Sequence, residues 1–181
     1  METSAFFVYE EFMIIRPITS ADLPQLGQLA QQCFTETFGH LYSPQNLQHH
    51  LDTFCSATFF KNELAEGNEI LVVEENGLLV GYAKYGHIGV PLKAKPHPND
   101  REIHRLYVLT AHHGKQFGRQ LIEAMLAKPQ MQQAPAIYIS AWSENYKALR
   151  FYAHYGFSYF DNYTYYVGDH ADDEFILQRK Q

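Results

Sequence analysis

Cysteine is scarce. The 181 residues hold two, Cys33 and Cys55, both in stretches of helical periodicity. Two thiols in a chain of this size exclude a disulfide framework and read as reduced packing residues, so a cytoplasmic location is expected. Basic residues are also few, 14 Lys and Arg against 20 Asp and Glu, for a net charge of −6. That balance disfavours non-specific binding to nucleic acid or an anionic membrane, and it suits a cationic partner. No run approaches the roughly 18 apolar residues of a membrane span. The opening METSAFFVYEEF has an apolar run between acids and no basic segment before it, so no secretion signal is expected there. The chain shows neither internal repeat nor low-complexity segment. Its ten histidines include the adjacent pairs His49-His50 and His112-His113, which point apart on a helix or strand. No His-x-x-x-His or cysteine-rich spacing occurs, so no metal site is expected.

What remains is a well-supplied core. Hydrophobic residues make up 46% and aromatics 15%, enough for one folded domain. Residues 1–11 are expected to form an extension and residues 12–181 a single domain. Strands are expected at 12–18, 69–75, 78–87, 102–109, 136–142, 157–167 and 173–178. Asn76-Gly77 marks a hairpin between the second and third. Leu23, Leu26, Leu29, Ala30, Cys33 and Phe34 mark one helical face. Ser43-Pro44 opens a second helix, Ser56 a third, and Ser143 or Asn145 the last, which Gly156 stops. Residues 88–101, with three prolines, read as a loop. The expectation is a mixed α/β fold of about seven strands, mostly antiparallel, and about four helices.

The stretch EIHRLYVLTAHHGKQFGRQLIEAM, residues 102–125, organises the rest. A strand runs through a polar turn bearing Gly114 into a helix with Phe117, Leu121, Ile122 and Met125 on one face. Such a turn presents free backbone N–H groups at the positive end of the helix dipole, a setting that favours phosphate. Lys115 and Arg119 sit at that end, where positive charge opposes the dipole unless an anion is bound.

Three segments then resemble the GNAT superfamily of acetyl-CoA-dependent N-acetyltransferases. His113-Gly114-Lys115-Gln116-Phe117-Gly118 resembles its pyrophosphate loop, with His113 in place of the usual Gln or Arg and Gln116 in place of the middle Gly. Asn145-x-x-Ala148-x-x-Phe151-Tyr152-x-x-x-Gly156-Phe157 is similar to its C-terminal motif. Glu102 to Val108 resembles its central strand. The resemblance implies a sheet splayed at the acetyl-CoA site. It also implies coenzyme contacts from Leu106, Tyr107, Val108, His113, Gly114, Lys115, Gln116, Phe117, Gly118, Arg119 and Asn145, and no metal. Within the family the chain looks closest to the bacterial polyamine (spermidine/spermine) acetyltransferases. Cys33-Phe34-x-x-Thr37-Phe38, Ser43-Pro44-x-Asn46-Leu47, Trp142-x-x-Asn145 and Tyr165-Tyr166-Val167-Gly168-Asp169 carry that likeness. A homodimer is implied by resemblance only.

Acetylating an amine requires removing a proton from a group of pKa about 10.4. It requires a donor for the developing oxyanion, worth roughly 3–4 kcal/mol, and a proton for the departing thiolate. Tyr152, two turns beyond Asn145, is the candidate proton donor; Glu102 or His104 is the candidate base. Acids and aromatics that suit a polycation are Glu36, Tyr42, Glu102, Asp161 and Asp169. Two other readings stand beside a small polyamine. One is acetylation of a peptide or protein amine or an aminoglycoside; the other is a coenzyme-binding regulatory module without catalysis.

Overall fold

The computed structural model describes residues 13–180, so the expected extension over 1–11 lies outside the described residues. One sheet holds β1 (Met13–Pro17), β2 (Glu69–Glu75), β3 (Leu78–Gly86), β4 (Arg101–Val108), β5 (Ala136–Trp142), β6 (Ser158–Val167) and β7 (His170–Lys180). Their order is β1-β2-β3-β4-β5-β7-β6. All neighbours pair antiparallel except β4 and β5. The helices are α1 (Leu23–Phe38), α2 (Pro44–Phe54), α3 (Ala57–Ala65), α4 (Phe117–Leu126), α5 (Pro129–Gln132) and α6 (Tyr146–His154).

The mixed α/β architecture is the one expected, with six α-helices among the described residues instead of about four. One addition is the single-turn α5. Pro129 opens it, because a proline at the first helical position loses no hydrogen bond. The hairpin between β2 and β3 turns on Asn76 and Gly77, both at positive φ (51° and 80°), as a tight hairpin requires. β7 begins at His170, ahead of the expected Asp173. Inward-facing Asp172 breaks the apolar alternation there and hides the start of the strand.

Each face of the sheet has its own core. On one side α4 buries Phe117, Leu121, Ile122 and Met125 against Leu71, Val73, Ile103, Ile137 and Ile139, with α6 alongside. Each such side chain stabilises the fold by about 1.5–3 kcal/mol. On the other side α1, α2 and α3 cover Ile70, Val72, Leu79 and Tyr82. Cys33 and Cys55 are buried there as free thiols, and burial pushes the Cys33 thiol up to about 12. The proline-bearing loop packs Val90, Ile88 and Leu92 over Tyr138 and Ile176, on the same side.

Two irregularities place the site. The β4–β5 pairing covers only Arg101↔Ile137, Glu102↔Tyr138 and Ile103↔Ile139. Beyond them the strands separate, and residues 105–108 of β4 keep a strand partner only in β3. The second is a bulge, since β3 pairs Lys84 with Arg105 and Tyr85 with Ile103, skipping His104. An extra residue reverses the alternation. Ile103 packs towards α4, and so do Leu106 and Val108. Tyr107 packs towards α1, and Arg105 lies over the rings of Phe59 and Phe60.

Candidate active site

The turn into α4 is built for an anion. His113 ends a 3-10 turn over Thr110–His112, and its Nε2 pairs with the Val108 carbonyl at 2.9 Å. Gly114 has φ +87°, and a side chain there would meet nothing within 4 Å. Gln116 precedes the first helical residue in the left-handed region (φ 64°) and gives α4 no side-chain cap. Gly118, in the first turn, is equally open. The first-turn N–H groups of α4 therefore have no side-chain cap from Gln116, at the positive pole of a ten-residue helix. The charge mismatch read from the sequence is met in part by acids. Lys115 Nζ lies 2.7 Å from Oε1 of Glu75, a buried carboxylate that also contacts His112 at 2.8 Å. Arg119 pairs with Glu123 on the exposed face. Phe117 is buried and anchors the turn to the core.

The split between β4 and β5 leads away from that turn. Its β4 wall offers the backbone of residues 104–108. The side chains of Leu106 and Val108 face the α4 core, and Tyr107 stacks on Tyr82 with centroids 5.7 Å apart. At the mouth of α6, Asn145 caps the helix by accepting from Ala148 N at 3.1 Å, which settles the choice against Ser143. Asn145 also lines an open pocket of about 260 Å³ with Thr37, Phe38, Trp142, Glu144, Tyr146 and Lys147. Tyr152 lies one face further in, buried against Phe151 and Phe157. Burial, followed by the charge of Glu174, raises its hydroxyl well above the usual tyrosine value.

Glu102 and His104 meet at the base of the split, Oε1 to Nδ1 at 3.4 Å. Glu102 is 4% exposed, and its Oε2 accepts from Gly89 N (2.6 Å) and Val90 N (2.8 Å). The carboxylate thus ties the loop to β4, although burial raises its pKa. Burial, then Lys84 and Arg105, push His104 down to about 3, so the imidazole is neutral.

The other expected acids divide. Glu36 accepts from Thr110 N and Gln32 and steadies the strand–turn junction instead of a pocket. Asp161 pairs with Lys93, and Asp169 with Asn46, both at the surface. Tyr42 packs on Phe34 of α1 and donates to Asp172 of β7 at 2.6 Å. Phe34, Phe38, Trp142 and Tyr165 join the same aromatic cluster through a chain of ring contacts that includes His50, and Phe38 and Trp142 also line the open pocket. Asp172 and Glu174, the inward acids of β7, escape sequence reasoning. Only an Asp-x-Glu at period two, set in a strand, hints that both point inwards.

These features agree with a match to the acetyltransferase (GNAT) family model over residues 23–157, from α1 to the end of α6. The chain belongs to the acetyltransferase (GNAT) family. It is an acetyl-CoA-dependent N-acetyltransferase, and the open glycines and uncapped amides of the α4 turn fit the coenzyme's diphosphate. An uncharacterised N-acetyltransferase from the pepI 3' region of Lactobacillus delbrueckii subsp. lactis is 24% identical over 163 residues, 90% of this chain and 94% of that protein. The PaiA N-acetyltransferase of Thermoplasma acidophilum, solved with coenzyme A, shares the fold at TM-score 0.75 and 20% identity, covering 94% of this chain and 99% of that one. The ribosomal-protein-S18-alanine N-acetyltransferase of Escherichia coli superposes at TM-score 0.68 and 15% identity, over 93% and 94%. Among the described residues no helix is long and apolar enough to cross a membrane, and no group of three or more His, Cys, Asp or Glu is placed to hold a metal ion.

Proposed function

We propose that the acceptor is a small cationic primary amine of the polyamine class, and that it attacks the thioester directly in a ternary complex. One observation carries this reading. Asp172, 5% exposed, accepts from the Tyr42 hydroxyl beside a cluster of aromatic rings that reaches the open pocket at Phe38 and Trp142. A buried acid among aromatic faces suits an ammonium, which gains from both the charge and the ring quadrupoles. His170 also approaches Asp172, at 3.2 Å.

In this reading the backbone of Leu106, Tyr107 and Val108 holds the pantetheine arm, with Asn145 at its far side. The turn from His113 to Arg119 holds the diphosphate, mainly through N–H groups. Tyr152 supplies the proton that the departing thiolate takes up, and its raised pKa keeps that proton in place until then. Glu102 and His104 shape the base of the split and hold the loop over it.

A second reading, acetylation of a peptide N-terminus, is favoured by the open pocket at Trp142 and by the likeness to ribosomal-protein-alanine acetyltransferases. Thiol release from acetyl-CoA, measured with spermidine, spermine, an aminoglycoside and an alanine-led peptide, decides between them. Turnover led by the polyamines supports the first reading. Turnover with the peptide alone overturns it.

A further inference from the structure

Glu174 stands on β7 opposite Trp142 of β5 and Tyr163 of β6. Its carboxyl lies close enough to the Ser140 side chain for that hydroxyl to favour its charged form, and Ser140 accepts from the Tyr163 hydroxyl at 3.3 Å. Ser140 is the first β5 residue beyond the last parallel pair, Ile103↔Ile139. Glu174, paired with Trp142, thus shares a face with Ser140 on the stretch of β5 that lies past its pairing with β4. Four tyrosines sense its charge: Tyr42 before α2, Tyr152 of α6, and Tyr163 and Tyr165 of β6. Asp172, two residues away, lies on the same face, and Glu102 reaches the same Tyr163 from β4. Glu174 is thus the acid between the aromatic cluster and the split.

We propose that Glu174 is the general base that takes a proton from the substrate ammonium at the mouth of the split. The assignment rests on reading this split as the place of amine acetylation. Glu102 is less suited, since Oε2 is committed to two loop amides. His104 is a weak base, pushed down to about 3. Glu174 has the opposite character: burial, then the charge of Asp172, raise it to about 8, partly offset by Ser140. A base is most effective with a pKa close to the working pH. The ammonium gives one proton to the Glu174 carboxylate and becomes a free amine. The amine nitrogen bonds to the acetyl carbon and the carbon–sulfur bond breaks. The thiolate gains a proton from Tyr152, the nitrogen's second surplus proton returns to Tyr152 through solvent, and Glu174 gives its own to solvent. The sum is an amide, a thiol and one released proton.

The test is the pH profile of kcat/KM for the best amine, on wild type, Glu174→Gln and Ser140→Ala. Wild type should show a limb rising with pH that reaches half its height near pH 8, as expected for a base of that pKa. Glu174→Gln should lower kcat/KM on the order of a hundredfold or more and lose that limb, with coenzyme A affinity unchanged. Ser140→Ala should move the limb to higher pH, a shift that a packing role would not give. Infrared difference spectra between pH 6.5 and 9.5 should show a protonated carboxyl band vanishing in wild type and missing from Glu174→Gln. A Glu174→Gln enzyme with the wild-type limb and rate overturns the assignment alone. If wild type releases thiol with no amine at all, the amine reading of the split fails, and the assignment with it.

Discussion

Glu75 Oε1 and Lys115 Nζ lie 2.7 Å apart, joining the end of β2 to the turn that opens α4. The carboxylate is nearly buried, so it holds the ammonium in one place beside the uncapped helix end. Lys115, then burial working the other way, set the Glu75 pKa, and the net direction is down. Replacing Glu75 with Gln should weaken coenzyme A binding by about 1 kcal/mol, roughly fivefold, by loosening the lysine. Calorimetric titration measures it. The same depressed pKa means that the pair's contribution to stability is present above about pH 4.3 and is lost as pH falls through the folded-state value.

Gln116 holds a left-handed conformation (φ 64°) where the family pattern has glycine. A side chain in that region costs roughly 1 kcal/mol that glycine avoids. Gln116→Gly should therefore raise the unfolding free energy by about 0.5–1 kcal/mol. Urea denaturation with an unchanged m-value is the check. Little or no gain would mean that the Gln116 side chain makes a compensating contact.

His50 stacks on Phe34 with centroids 4.0 Å apart. Burial first, then Arg105 and His49, push its pKa down to about 4. The unfolded chain binds that proton nearer pH 6.5. Stability is thus complete above pH 6.5 and falls steadily down to about pH 4, by on the order of 2 kcal/mol at pH 5 from this group. His50→Phe keeps the stack and removes the titration. Its melting temperature should fall less than the wild type's between pH 7.5 and 5.

Tyr152→Phe removes one hydroxyl from a ring whose packing is unchanged. Turnover should drop about a hundredfold, the usual share of a proton donor. Coenzyme A affinity should stay within about twofold, since binding is assigned to backbone amides. A fully active Tyr152→Phe enzyme would end the role given to this tyrosine.

Most of the fold could be read from the chain because local signals agreed with the global arrangement. Asn76-Gly77, Gly156 and the α4 stripe each named their element without help. The failures have common causes. The bulge at His104 adds no residue that composition would flag, yet it decides which side chains share a face with Glu102. Asp172 and Glu174 look like surface acids, and only the closing of β7 against β5 turns them inwards. Lys115 looks uncompensated until β2, forty residues earlier, brings Glu75 beside it. In each case contacts distant in sequence override what neighbours along the chain suggest.

The three-pair seam between β4 and β5 has a consequence for the protein without its cosubstrate. An open rim of main-chain donors and acceptors ordinarily lies at the border of a sheet, where charge or a covering loop guards it. Here it runs through the middle, shielded by helices on both faces. Under the binding mode proposed above, the pantetheine chain acts as a missing length of strand, making the sheet whole only while the donor is aboard.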